Sequence, residues 1–341
     1  MRSLAPPINL IDKINIIKPE ARVLKNGVPV WLMNGGNQDI IKFELLFNVG
    51  SSHQDKPLQA YATANLLKSG TRERSSAEIN KLWDFYGVSL QIEPQKDLIS
   101  VGFFCLTKRF EPVLDLLLEI VTKATFPEHE LEILLNNRKQ KHRVNLQTVQ
   151  HLARVHFAEM VFGKNHPYGK ILKLEDFDKL ERDDLVAFHH RYLQPSNCMC
   201  FVSGRFPSDT VELINKKFQK HEWPVSTHKK QDLDFPVEPG LKKQHMIMEN
   251  QLQASLRIGQ ITINRHHPDY HLASITNTLL GGYFGSRLMR NIRQEKGYTY
   301  GINSALVAML KATYFFITTQ VGKEVKDDAL HEIYHELRQL R

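Results

Sequence analysis

Arg293 and Tyr300 stand seven residues apart in the segment NTLLGGYFGSRLMRNIRQEKGYTYG, 277–301. A guanidinium keeps its proton at any working pH and a phenol keeps its own up to about pH 10, so both side chains are hydrogen-bond donors. Two such donors can hold a carbonyl oxygen and stabilise an oxyanion that forms there. Spacing alone supports less, an exposed helix Arg and a strand Tyr. The local pattern is plain: Gly281, Gly282 and Gly285 break a helix, Ser286 is suited to cap the next, and Arg287 to Lys296 is helical. Gly297 then stops the helix and Tyr298 enters a strand.

Other residues with metal or nucleophile chemistry do not converge. His142, His151 and His156 are nine and five apart, which on one continuous helix places them about 180° and 140° around the axis from one another. His189 and His190 are adjacent and diverge, His53 is isolated, and His267 and His271 flank Pro268 at a helix start. Cys105, Cys198 and Cys200 form an odd set with no framework spacing and read as reduced core thiols. No Ser-His-Asp or Cys-His constellation stands out. RKQKHR (138–143) reads as the solvated face of a long helix, and GGYFG (281–285) lacks the preceding strand and following Lys of a phosphate loop.

Around these residues the order of elements repeats. Strands are predicted at 23–34 and 42–50, helices at about 57–67 and 76–86, strands near 88–94 and 98–106, a helix near 110–122 and one long helix from Pro127 to about Met160. A helix near 182–193, the strand NCMCFVSG (197–204) and a helix near 208–219 complete the unit. Sliding the chain by 213 positions sets Gly27 on Gly240, His53 on His266, Ala60 on Ala273 and Leu66-Leu67 on Leu279-Leu280. The expectation is an α+β fold of tandem duplicated domains, each a mixed, mainly antiparallel sheet with helices on one face. A first domain spans 1–220, a proline-containing linker 221–240 and a second domain 241–341. Strand, strand, helix, helix, strand, strand is predicted to recur over 241 to about 320, and the second copy reads as truncated at its C-terminus.

The glycine-rich segment resembles the second half of the pitrilysin/insulinase family of zinc metallopeptidases, which includes the mitochondrial processing peptidase subunits. There, a stretch like LGG-x-x-x-SRL-x-x-x-x-RE-x-x-GY-x-Y carries the Arg and Tyr that correspond to Arg293 and Tyr300. The likeness extends through NGVPV (26–30), FPEHELE (126–132), HPYG (166–169) and HHRYLQPSNCMCFVSG (189–204). It implies half of a clamshell, with Arg293 and Tyr300 binding a substrate peptide carbonyl.

It also implies where zinc chemistry would sit. The family's helical H-x-x-E-H supplies two ligands and a general base, and it aligns with Tyr61-Ala62-Thr63-Ala64-Asn65. Phenol, methyl and amide cannot replace them. The family's third ligand, a Glu about 76 residues downstream, falls at Gln140, Lys141 or His142, and no Asp or Glu occurs between Ile133 and Ala158. An ammonium at Lys141 repels a dication. No metal or other cofactor is therefore expected in this chain. The resemblance implies that zinc resides in a homologous partner subunit, with which this chain forms a heterodimeric peptidase acting on peptides. A catalytically inert core or scaffold protein of the same fold is the alternative. Only the short GGYFG turn stands where the mitochondrial substrate-recognising subunit has a long glycine-rich loop, so presequence processing is not assigned.

Composition bounds these readings. The chain has 341 residues, 42% of them hydrophobic, and a formal net charge of +8, too weak a bias to argue for nucleic acid. No long apolar run suggests a membrane span, and Pro6, Pro7, Asp12 and Lys13 interrupt the stretch where a signal peptide needs an apolar core. A cytoplasmic location is the expectation.

Overall fold

The computed structural model of the chain describes residues 9–10, 13–223 and 235–340. Parts of the opening segment and of the expected linker, 1–8, 11–12 and 224–234, lie outside the described residues, as does Arg341.

The first unit opens with a hairpin, β1 (Glu20–Val23) and β2 (Pro29–Asn34), where the sequence predicts one strand over 23–34. Asn26-Gly27 makes the turn: Gly27 has φ +86, in the left-handed region that glycine enters without strain, and its N–H donates to Leu24. Next come β3 (Ile40–Phe47), α1 (Gln59–Leu66) and α2 (Ser76–Tyr86). The Ser75 hydroxyl and Glu78 carboxylate cap α2 reciprocally and Gly87 at φ 64 ends it. Then follow β4 (Ser89–Pro94), β5 (Ile99–Leu106), α3 (Phe110–Thr122), α4 (Glu128–Asn145), α5 (Val149–Phe162), α6 (Arg182–Tyr192), β6 (Cys198–Gly204) and α7 (Thr210–Lys220).

Six strands form one sheet in the order β1-β2-β6-β3-β5-β4, antiparallel except where β2 pairs with β6. Alternation sets its two faces. Ile41, Phe43, Leu45 and Phe47 of β3 are wholly buried with Leu114, Leu117 and Ile120 of α3, while Lys42, Glu44 and Leu46 point to the opposite face. Cys105, Cys198 and Cys200 are buried free thiols in this core.

The long helix predicted from Pro127 to Met160 is two helices. Thr148 turns its hydroxyl and N–H onto the Asn145 carbonyl and ends α4, with no glycine or proline involved. The break lets α5 leave the first unit and lie on the second, where Phe157, Val161 and Phe162 pack with Ala312, Tyr314 and Phe316.

The second unit holds β7 (Gln253–Thr262), α8 (Tyr270–Asn277), β8 (Ile302–Ala308), β9 (Thr313–Gly322) and α9 (Lys326–Gln339). Its sheet order, β7-β9-β8, repeats the β3-β5-β4 half of the first sheet. Helices and the Leu280, Leu288, Ile292 and Ile333 cluster cover one face. The extended strand predicted just after residue 240 does not form, and Leu241 and Ile247 are exposed. Topology explains this: β2 joins the first sheet only through β6, and the described part of the second unit contains no counterpart of β6. The two units meet at Asp97. This buried carboxylate accepts hydrogen bonds from the Ser52 hydroxyl at 3.1 Å, the Tyr168 hydroxyl at 2.6 Å and the Leu310 N–H of the second unit at 3.0 Å.

Candidate functional site

The positions aligned with the zinc motif lie on α1, which is anchored by buried Gln59. Its side chain accepts from Asp55 N–H and donates to the Asp184 carbonyl at the start of α6. Tyr61 and Asn65 are half-buried one turn apart, and the Asn65 amide donates back to the Tyr61 carbonyl at 2.8 Å. Ala64 is fully buried among apolar neighbours. The group that meets this surface from α4 is Arg138, whose guanidinium carbon lies 4.6 Å from the Tyr61 ring centroid.

The three positions predicted to face the motif from α4 do not share this contact. Gln140 and Lys141 are exposed. His142 is buried, but its Nε2 is 3.1 Å from the Leu172 carbonyl and its ring packs on Phe177. Arg138, three residues before Lys141, is the α4 cation that stacks on Tyr61. Nothing in the sequence spacing marks Arg138; its signal is the helix contact itself. The break after α4 also corrects the histidine geometry: the rings of His142 and His151 approach to 5.8 Å instead of lying on opposite sides of one helix. His151 Nδ1 faces Arg154 at 3.2 Å, and burial with the nearby Arg154 charge lowers the His151 pKa. Among the described residues, no three His, Cys, Asp or Glu side chains cluster as a metal site.

The Arg293 and Tyr300 segment is shaped by close packing. A Cβ on Gly281 would stand 2.6 Å from Ser304 Oγ, so only glycine lets this turn sit against β8. Ser286 is buried and its hydroxyl has no partner, so it does not provide the predicted cap. From Met289 to Glu295 the helix widens to i+5 bonding, with Lys296 N–H on the Asn291 carbonyl. Gly297 at φ +67 ends it as expected, while the strand begins at Ile302, later than predicted.

Leu288 and Ile292 anchor this wide turn in the core, and Arg287 and Asn291 bind Glu336 of α9 at 2.8 Å. Arg293 differs from Arg287 in having no carboxylate partner among the described residues, and its guanidinium rests 4.7 Å from the Phe284 ring centroid. Tyr300 is 91% exposed. The loop carrying it is tied by Thr299, whose hydroxyl donates to Gln320 carbonyl at 2.6 Å. Two unpaired donors on anchored backbone are suited to an incoming carbonyl, and no hydrogen bond joins them to each other.

Residues 30–172 match the model of the insulinase family, peptidase family M16, and residues 179–341 match the M16 inactive domain. The uncharacterised zinc protease YmxG of Bacillus subtilis is 22% identical over 284 residues, 82% of this chain and 68% of its own. The non-peptidase homologue YmxG of Helicobacter pylori is 21% identical over 295 residues, 84% and 67% of the two chains. Several other curated relatives named as zinc proteases are spanned over only 56 to 59% of their length. In fold, the chain superposes on the M16 inactive domain of Pseudomonas fluorescens with a TM-score of 0.82 at 23% identity, covering 94% of this chain and 79% of that one. The two matched models follow one another along nearly all of the sequence, and the chain belongs to the insulinase family of peptidases, M16.

Proposed function

We propose that the chain is a non-catalytic, substrate-binding subunit of a heterodimeric zinc metallopeptidase. Arg293 and Tyr300 bind and polarise a peptide carbonyl, and a homologous partner subunit supplies zinc and the general base. The observation that carries this reading is the contrast between the two half-sites. Around Tyr61 the ligands are replaced and a guanidinium lies against the ring, whereas Arg293 and Tyr300 keep their donors unpaired. A scaffold has no need of two such donors held on braced backbone.

Assembly with further protein is supported by α8, which buries none of its residues. Leu272, Ile275 and Leu279 are more than half exposed, while the positions 213 residues earlier, Gln59, Ala62 and Leu66, are buried. The same exposed face also suits the inert scaffold reading, so catalysis must separate the two. Arg293→Ala and Tyr300→Phe, each co-expressed with a zinc-bearing M16 subunit, are expected to assemble and to lower turnover about 10²- to 10³-fold, the usual effect of losing an oxyanion donor. Wild-type turnover in both assembled variants makes the chain a scaffold.

A further inference from the structure

We propose that the surface beside α5 on the β7–β9–β8 sheet binds the carboxylate of an acidic peptide residue through Arg257, with Arg154 beside it. Arg257 projects from β7 on the face away from the helix-covered core, opposite Thr318 of β9 and next to the pair formed by Thr318 with Asn303 of β8. Its guanidinium carbon stands 4.2 Å from the Phe316 ring centroid and 5.2 Å from that of Phe157 on α5. Rings hold a guanidinium by its faces and leave the donors at its edge for a planar anion. No carboxylate among the described residues pairs with it, and its Nε–H is buried without an acceptor.

The carboxylates of the neighbouring elements are engaged elsewhere. Arg154 is exposed on α5 three residues before Phe157, the ring that meets Arg257, and so lies on the same side of that helix. Neither β7, β8 nor β9 contains an Asp or Glu, and the one carboxylate of α5, Glu159, lies 3.5 Å from His156 Nδ1. The nearby Asp97 spends its oxygens on Ser52, Tyr168 and Leu310. Thr318 and Asn303 extend the floor with neutral polar groups suited to peptide backbone. A half-buried guanidinium without a counter-ion, stacked on rings beside a second cation, recognises a carboxylate by charge-assisted hydrogen bonds. The inference rests on the peptide-binding reading and adds a substrate class to it: peptides with Asp or Glu at the residue lying over β7.

The test is fluorescence anisotropy of the full chain with labelled, end-blocked peptides of one neutral sequence carrying Glu, Gln or Lys at the centre. The wild-type chain is expected to bind the Glu peptide about tenfold more tightly than the Gln peptide, the scale of one charge-assisted contact, and added salt should narrow the gap. Arg257→Gln should remove the discrimination and Arg154→Gln should reduce it. Arg257→Glu should reverse it in favour of the Lys peptide, an outcome that misfolding cannot produce. Equal binding of Glu and Gln peptides by the wild-type chain overturns the inference, as does binding of inorganic phosphate without any peptide. Arg293→Ala and Tyr300→Phe should leave the Glu-to-Gln ratio unchanged, so this result and the turnover of the co-expressed complex fail independently.

Discussion

Arg138 and Tyr61 stack across the contact of α4 with α1, guanidinium carbon to ring centroid 4.6 Å. A permanent cation thus lies against α1, and on the proposed reading of Tyr61, Ala64 and Asn65 as replaced zinc-motif positions it stands where a third ligand would have to reach. Tyr61→His, Ala64→Glu and Asn65→His together should therefore leave zinc unbound while Arg138 remains. Adding Arg138→Glu both removes the positive charge and offers a carboxylate, and should raise zinc affinity at least about tenfold more than adding Lys141→Glu at its exposed position. Competition against a chromogenic chelator measures this. Equal gains from the two additions would place the third ligand elsewhere on α4.

Acid should destabilise the chain in a window set first by histidines. His189 is buried with its Nε2 2.6 Å from the Val121 carbonyl, and burial lowers its pKa to about 4. The unfolded chain, with an ordinary histidine, binds the proton more readily. Stability is therefore fully present above about pH 6.5 and is lost as pH falls through about 4, by up to roughly 3 kcal/mol. Burial shifts His151, His166 and His221 in the same direction. Asp115, held down by Lys220, Lys217 and His221 despite its own desolvation, loses its contribution at still lower pH. Urea denaturation of His189→Gln from pH 7 to 4 should show a shallower decline than wild type, and parallel curves would remove His189 from the account.

The thiols should be inert in the folded chain. Burial pushes Cys105 up to about 12 and raises Cys198 and Cys200 strongly, so almost no thiolate exists near neutrality. An aromatic disulfide reagent at pH 8 should titrate none of the three thiols in native protein and all of them in urea. Fast modification of one thiol before unfolding contradicts the buried assignment.

What the sequence made legible depended on whether a pattern was local. Ser75, Glu78 and Gly87 mark both ends of α2 by their own chemistry, and the alternating β3 residues announce which face is core. The break between α4 and α5 was not legible because Thr148 and Asn145 are weak signals, and the turn there is rewarded only by burying Phe157 and Phe162 on the second unit. The same break conceals the approach of His142 to His151. Arg293 and Tyr300 were found through their motif, whereas Arg138 and Arg257 gain significance only from aromatic rings distant in sequence.

Asp97 ties the two units together. Asp97 binds Ser52 and Tyr168 in the first unit and the Leu310 N–H in the turn before β9. Removing it leaves a buried hydroxyl and a backbone donor unsatisfied, and each hydrogen bond to a charged group contributes about 1.5–3 kcal/mol. Asp97→Ala should thus destabilise the chain by several kcal/mol and speed amide exchange at Leu310 more than in the α3 core. Tyr168→Phe removes only one partner and keeps the ring against Phe162, so it should cost less and leave Leu310 protected. Because Asp97 and Tyr168 share one bond, the double variant should fall short of the sum of the two by about 0.5–3 kcal/mol. Unchanged Leu310 exchange in Asp97→Ala would show that the units are held by the α5 contact with β7 alone.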